Sequence, residues 1–157
     1  GKDLVKLLQP FQCKILTYDI LDFPEFYLEY DVEPVDLEIL LSNSDIVSIH
    51  IPLDSSTQNF LSKDRLAKMK KGSILINYAR GGLVDEEALK HMILNKKISG
   101  AALDVLAKEP PSDFDLTTLD NVFVTPHIGG STDESIKKMG LAAIDGLDAA
   151  IDPKELI

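Results

Sequence analysis

One cysteine, Cys13, stands in 157 residues. No disulfide can form within the chain, and no cysteine-based metal site can be assembled. Beside a strand-like run, Cys13 reads as a small buried apolar residue. A lone thiol suits a reducing, cytoplasmic compartment. No apolar run is long enough to span a bilayer, and no secretory leader opens the sequence. Basic residues are scarce: 16 Lys and Arg face 26 Asp and Glu, for a net charge of −10. That diffuse negative field disfavours nucleic acid and anionic membranes, and neither is expected as a partner. An anionic small molecule stays open, because one well-placed arginine outweighs the average field locally. No internal repeat, low-complexity tract or linker interrupts the chain. The glycine fingerprint G-x-G-x-x-G is also missing.

What is present is a chain 45% hydrophobic, enough to bury a core, in which short apolar runs alternate with helix-like segments. Residues 14–18, 45–50, 73–77, 99–105 and 122–125 read as strands. Residues 36–41, 63–69 and 86–94 read as helices, the last with Asp85 as its cap. A final helix is expected from a Ser131 cap, with Glu134 at capping-box spacing, through Ala150. Residues 106–121, with Pro110 and Pro111, read as one irregular loop, and loops of that length are often functional. Short continuous β-branched runs are what parallel strands buried under helices on both faces look like. The expectation is an α/β fold with a doubly wound parallel sheet of Rossmann type.

In such a sheet ligands bind beyond the carboxyl ends of the strands. Asp19, His50, Asn77 to Arg80, Asp104 and His127 all fall at or just past such an end. Asp19 can accept hydrogen bonds from both hydroxyls of an adenosine ribose; equally, it can be a solvated residue before the loop of Asp22 and Pro24. No Lys or Arg follows it until Lys63, so nothing nearby would neutralise a 2′-phosphate, and NAD is favoured over NADP. Gly1, opening a helix-like run about 20 residues before Asp19, reads as the third fingerprint glycine, with the first strand and first two glycines absent. It can as well be a plain terminal residue.

Arg80, ahead of Gly81 and Gly82, can clamp a carboxylate bidentately and polarise the adjacent carbonyl. His127, between Pro126 and Gly129-Gly130, can protonate a carbonyl oxygen as hydride arrives and do the reverse. Glu109 can hydrogen-bond its second nitrogen and raise its pKa. His50, before Ile51-Pro52, reads as shaping a cofactor pocket, and His91 as lying on a solvated helix face. Asp104, after small residues, can accept the nicotinamide carboxamide or cap its own turn.

Together Ser44 to Leu53 with Thr57, Lys71 to Asp85, Gly100 to Val105 with Glu109-Pro110, and Thr125 to Gly130 resemble the D-isomer-specific 2-hydroxyacid dehydrogenases, most like the D-3-phosphoglycerate dehydrogenase branch. The resemblance runs from Gly1 to Ile157. It implies Arg80 as substrate anchor, His127 as acid/base and Glu109 as its partner. It also implies NAD contacts by Gly1, Asp19, His50, Pro52, the Tyr78-Ala79-Arg80 turn, Asp104, His127, Gly129 and Gly130. Tyr78 departs from the small residue usual in the family and can crowd or stack on the cofactor. On this reading residues 1–157 are an NAD-binding domain incomplete at its amino terminus, and the substrate domain lies outside the sequence. The expected substrate is a small anionic 2-hydroxy or 2-keto acid and the expected assembly a homodimer. Two alternatives stay open. The C-terminal-binding-protein corepressors resemble the same enzymes and keep the same triad, which leaves a dinucleotide-sensing interaction protein. An inactive folded fragment is the other.

Overall fold

The computed structural model describes residues 1–111, 114–148 and 150. They form two compact units, residues 1–124 and 125–157. In the first unit α1 (Lys2–Leu8) and a 3-10 turn precede β1 (Ile15–Thr17), α2 (Pro24–Tyr30), β2 (Val32–Pro34) and α3 (Leu37–Asn43). There follow β3 (Ile46–Ile49), α4 (Lys63–Lys68), β4 (Ser73–Asn77), α5 (Glu86–Leu94), β5 (Ile98–Leu103) and β6 (Val122–Val124). The second unit carries α6 (Asp133–Asp148).

Every strand pairing is parallel, as the apolar runs predict. The strands do not form one sheet, however. β1 pairs with β2, and a separate four-stranded sheet runs β3-β4-β5-β6. Among the described residues no ladder joins the two, so β1 and β3 each keep an edge without a strand neighbour. The start of α1 lies beside both strands' carboxyl ends. A Cβ on Gly1 would stand 3.6 Å from the His50 Cβ, just past β3. The Lys2 ammonium sits 3.6 Å from the centroid of the Phe23 ring, in the loop after β1.

Helices α3, α4 and α5 pack in a row over the four-stranded sheet. Under them Leu41, Val47, Ile49, Leu66, Leu75, Leu89, Ile98 and Leu103 make the core. On the opposite face several strand residues are open. Ile46 is 57% exposed, Ile74 39% and Phe123 66%. The strands therefore alternate buried and open residues, the pattern of a sheet covered on one face. Pro24, read as part of a loop with Asp22, opens α2 instead, and β2 follows it. Pro24 occupies the first helical position, where its missing N–H costs nothing.

Cys13 is exposed, against the expectation that it is buried. It follows the left-handed residue Gln12 that ends the 3-10 turn and falls two residues before β1, outside the packed strand. Asp85 caps α5 as predicted, accepting from the Ala88 N–H at 2.9 Å. The cap of α6 is Thr132, not Ser131: its hydroxyl accepts from the Ser135 N–H at 3.2 Å, while the Ser131 N–H bonds the Ile128 carbonyl. α6 ends at Asp148. The sequence predicts the helix through Ala150, which is not helical; Ala149, and Ser112-Asp113 of the predicted loop, lie outside the described residues.

Candidate functional site

The turn after β4 is built by one buried side chain. Asn77, the last residue of β4, is 2% exposed. Its amide donates to the Arg80 carbonyl at 2.9 Å and accepts from the Ala79 N–H at 3.1 Å. Its backbone carbonyl accepts from the Asp104 N–H at 3.0 Å. The side chain thus replaces the strand neighbour that residues 79 and 80 lose on leaving the sheet. Arg80 is exposed on this turn and donates to the Ala79 carbonyl at 2.7 Å. Tyr78 is 46% exposed, so its ring faces solvent rather than the core.

The same turn is fitted against the chain that follows β5. A Cβ on Gly81 would overlap the Leu106 carbonyl and lie 2.8 Å from the Ala107 nitrogen, so only glycine fits there. Gly82 sits at φ +81°, a left-handed conformation that again favours glycine. The Leu106 N–H donates to a Glu109 carboxylate oxygen at 2.8 Å, and the Ala107 N–H donates to a Glu86 carboxylate oxygen at 2.6 Å. Arg80 and Glu109 are therefore carried by two backbone segments in direct contact. Sequence reasoning missed Glu86, because nothing in the pattern links the start of a helix to a loop 21 residues on.

The residues read as cofactor contacts stand at the strand ends of this unit. Asp19, exposed two residues past β1, accepts from the Leu21 N–H at 3.0 Å, which orients the carboxylate. Beside it in sequence Ile20 is 91% exposed. His50 directly follows β3 and shares a 2.9 Å hydrogen bond with the Ser48 hydroxyl. Burial, then the positive amino terminus, pushes its imidazole below the ordinary histidine range. The loop after Pro52 is held by Thr57, whose hydroxyl donates to the Pro52 carbonyl at 2.8 Å and accepts from the Asp54 N–H at 2.8 Å. The Ser56 hydroxyl, with its amide, holds the Asp54 carboxyl below the usual range. Asp104 is 3% exposed at the end of β5. His91, by contrast, is exposed on α5, 3.3 Å from Glu87.

His127, Gly129 and Gly130 belong to the second unit. The backbone of His127 is left-handed, φ 54°, and its N–H bonds the Thr125 carbonyl at 3.0 Å. A non-glycine residue in that conformation is uncommon, and such outliers cluster at functional sites. Two cavities of about 310 and 330 Å³ lie elsewhere, one lined by Lys63, Ala88, His91, Met92 and Asn95, the other by residues including Tyr18, Asp36 and Arg65. Neither is lined by Arg80 or Glu109. Among the described residues no group of His, Cys, Asp and Glu is placed to hold a metal ion, and no helix is long and apolar enough to cross a membrane.

Parallel strands whose carboxyl ends carry these residues define a Rossmann-like nucleotide-binding domain. Residues 1–129 match the family described as the D-isomer specific 2-hydroxyacid dehydrogenase, NAD binding domain, and the chain belongs to that family. A hydroxypyruvate reductase of Thermotoga maritima is 42% identical over 148 residues, 92% of this chain and 47% of that protein. A D-3-phosphoglycerate dehydrogenase of Methanocaldococcus jannaschii is 42% identical over 141 residues, 89% of this chain and 27% of that protein. Among solved structures, the NAD-complexed D-isomer specific 2-hydroxyacid dehydrogenase of Lactobacillus delbrueckii ssp. bulgaricus superposes with a TM-score of 0.86 at 34% identity, covering 98% of this chain and 52% of that one. The chain spans about half the length of the first of these relatives. NAD is accordingly the cofactor of the family's domain.

Proposed function

We propose that the protein carrying this domain is an NAD-dependent oxidoreductase that interconverts a D-2-hydroxy acid and its 2-keto acid. The observation that carries the reading is the Asn77-built turn, which presents an exposed Arg80 at the carboxyl end of β4 and packs against the loop holding Glu109. An exposed guanidinium on a rigid turn is suited to hold a carboxylate by two parallel hydrogen bonds. Held so, the 2-hydroxyl or 2-keto oxygen lies next to the guanidinium, which steadies negative charge there.

NAD, when bound, supplies a nicotinamide ring that accepts hydride from C2. His127 takes the hydroxyl proton as the hydride leaves and returns it in the reverse direction. Glu109 is proposed as the carboxylate that would stabilise the imidazolium. Asp19 accepts from the adenosine ribose hydroxyls, and its charge disfavours a 2′-phosphate. His50 and Pro52, Gly1 at the start of α1, and Tyr78 and Ala79 on the β4 turn would contact the bound cofactor, and Asp104 would accept from its carboxamide. Gly129 and Gly130 are proposed as further cofactor contacts from the second unit. Relatives named for hydroxypyruvate, glycerate, glyoxylate and 3-phosphoglycerate all point to a carboxylate beside an oxygen-bearing carbon. A small anionic 2-hydroxy or 2-keto acid is therefore the substrate class, with 3-phosphoglycerate one member to assay. The working form proposed is a cytoplasmic homodimer in which residues 1–157 supply most of the NAD-binding domain and a separate domain shapes the substrate site.

Arg80→Lys in the full-length enzyme tests the anchor. Lysine keeps the charge but loses the planar fork. The expected result is a large rise in KM for the acid together with a fall in kcat; wild-type kinetics would rule out bidentate recognition by Arg80.

A further inference from the structure

Glu86 opens α5, where a first-turn acid is favourable for the helix dipole alone. That role needs no long-range contact. Its carboxylate nevertheless bonds the Ala107 N–H at 2.6 Å, while the neighbouring Leu106 N–H is held at 2.8 Å by Glu109. Two consecutive amides are thus fixed by two carboxylates, one from α5 and one from the loop itself. Hydrogen bonds to an ionised acceptor are the stronger kind. The segment they fix is the one against which Gly81 packs without room for a Cβ. Asn77 fixes the other side of that contact through Ala79, Arg80 and Asp104.

We propose that Glu86 is a positioning residue of this enzyme: by holding Ala107 it sets where the Arg80 guanidinium and the Glu109 carboxylate stand relative to each other. The inference rests on the reading of Arg80 and Glu109 as substrate anchor and acid/base partner. The effect of Glu86 passes through the Leu106-Ala107 backbone, which meets the Arg80-Gly81 turn on one side and leads into Glu109 on the other. Without the Glu86 bond, the Ala107 amide loses its carboxylate and the segment gains freedom to move away from Gly81. A misplacement of about 1 Å at a reacting group costs roughly a hundredfold in rate. Asp19 and the loop after Pro52 lie on other segments with their own hydrogen bonds, so the adenosine end of the cofactor should be held as before.

The test compares Glu86→Ala, Glu86→Gln and Arg80→Lys in the full-length enzyme, reading kcat and KM for the 2-hydroxy acid, the NADH dissociation constant and the melting temperature. Glu86→Ala should lower kcat/KM by about ten- to a hundredfold, with a smaller change in the NADH constant. Glu86→Gln keeps an oxygen that accepts the Ala107 N–H and should restore most of the activity. Wild-type kinetics for Glu86→Ala beside an impaired Arg80→Lys would overturn the Glu86 role alone. Activity, NADH affinity and melting temperature falling together in Glu86→Ala, without rescue by Glu86→Gln, would overturn it too, since that is a general loss of fold. Wild-type behaviour of Arg80→Lys would overturn the anchor reading, and the role of Glu86 with it.

Discussion

At the residue scale the site rests on side chains whose partners differ in how far away they are in sequence. Asn77 and Asp85 act on residues two or three positions along, at Ala79, Arg80 and Ala88. Such local bonds leave a readable pattern, and both residues were singled out from the sequence. Glu86 acts on Ala107, and Gly81 is constrained by Leu106; neither link has a period or spacing to betray it. Cys13 misled for the opposite reason. Its apolar neighbours begin only at Ile15, and it belongs to the turn before them. Two expectations follow from single charges. Asp19→Ala should shrink a preference for NAD over NADP, because the carboxylate no longer repels a 2′-phosphate. Comparison of kcat/KM for the two cofactors checks this, and equal values in the wild type would remove Asp19 from the ribose site. Glu109→Gln should keep activity and move the pH optimum down. The imidazolium loses a stabilising charge, so its pKa falls. An unmoved profile would separate Glu109 from the proton chemistry.

At the scale of elements, long periodic segments were legible and short ones were not. Residues 73–77 and 86–94 are strand and helix with the predicted bounds. β2 has three residues and ends in Pro34, and α2 follows Asp22 and opens on Pro24, which read as loop residues. Tertiary pairing of β2 with β1 overrides that local signal. The contact of the β4 turn with the chain after β5 is where an element-level change should be felt most. Gly81→Ala must displace either the Leu106 carbonyl or the turn itself. The expected cost is about 1–3 kcal/mol of stability, the range for overpacking a tight site, accompanied by loss of activity. Urea unfolding measures the first. A variant as stable and active as wild type would show that the two segments are free to part.

For the whole molecule, parallel connectivity was legible and the covering of the sheet was not. The apolar strands were read as buried on both faces, yet Ile46 and Phe123 are open within the first unit. Among the described residues β1 and β3 each present an edge with no strand pairing, and such edges recruit other strands. The sequence also holds no complete glycine loop, whose backbone N–H groups would bind pyrophosphate at a helix start. Residues 1–157 on their own should therefore self-associate, bind NAD weakly and turn over no substrate. Light scattering and calorimetric titration check this; a monomer with micromolar affinity would contradict it.

The central claim is proton transfer by His127 in an enzyme specific for D-2-hydroxy acids. The direct measurement is NAD-dependent oxidation of paired D- and L-2-hydroxy acids by the full-length protein and its His127→Ala variant. The account predicts turnover of the D isomer alone, reduced by about two to four orders of magnitude in the variant, with NAD affinity retained. Near-normal turnover by His127→Ala, or equal use of both isomers, would contradict it.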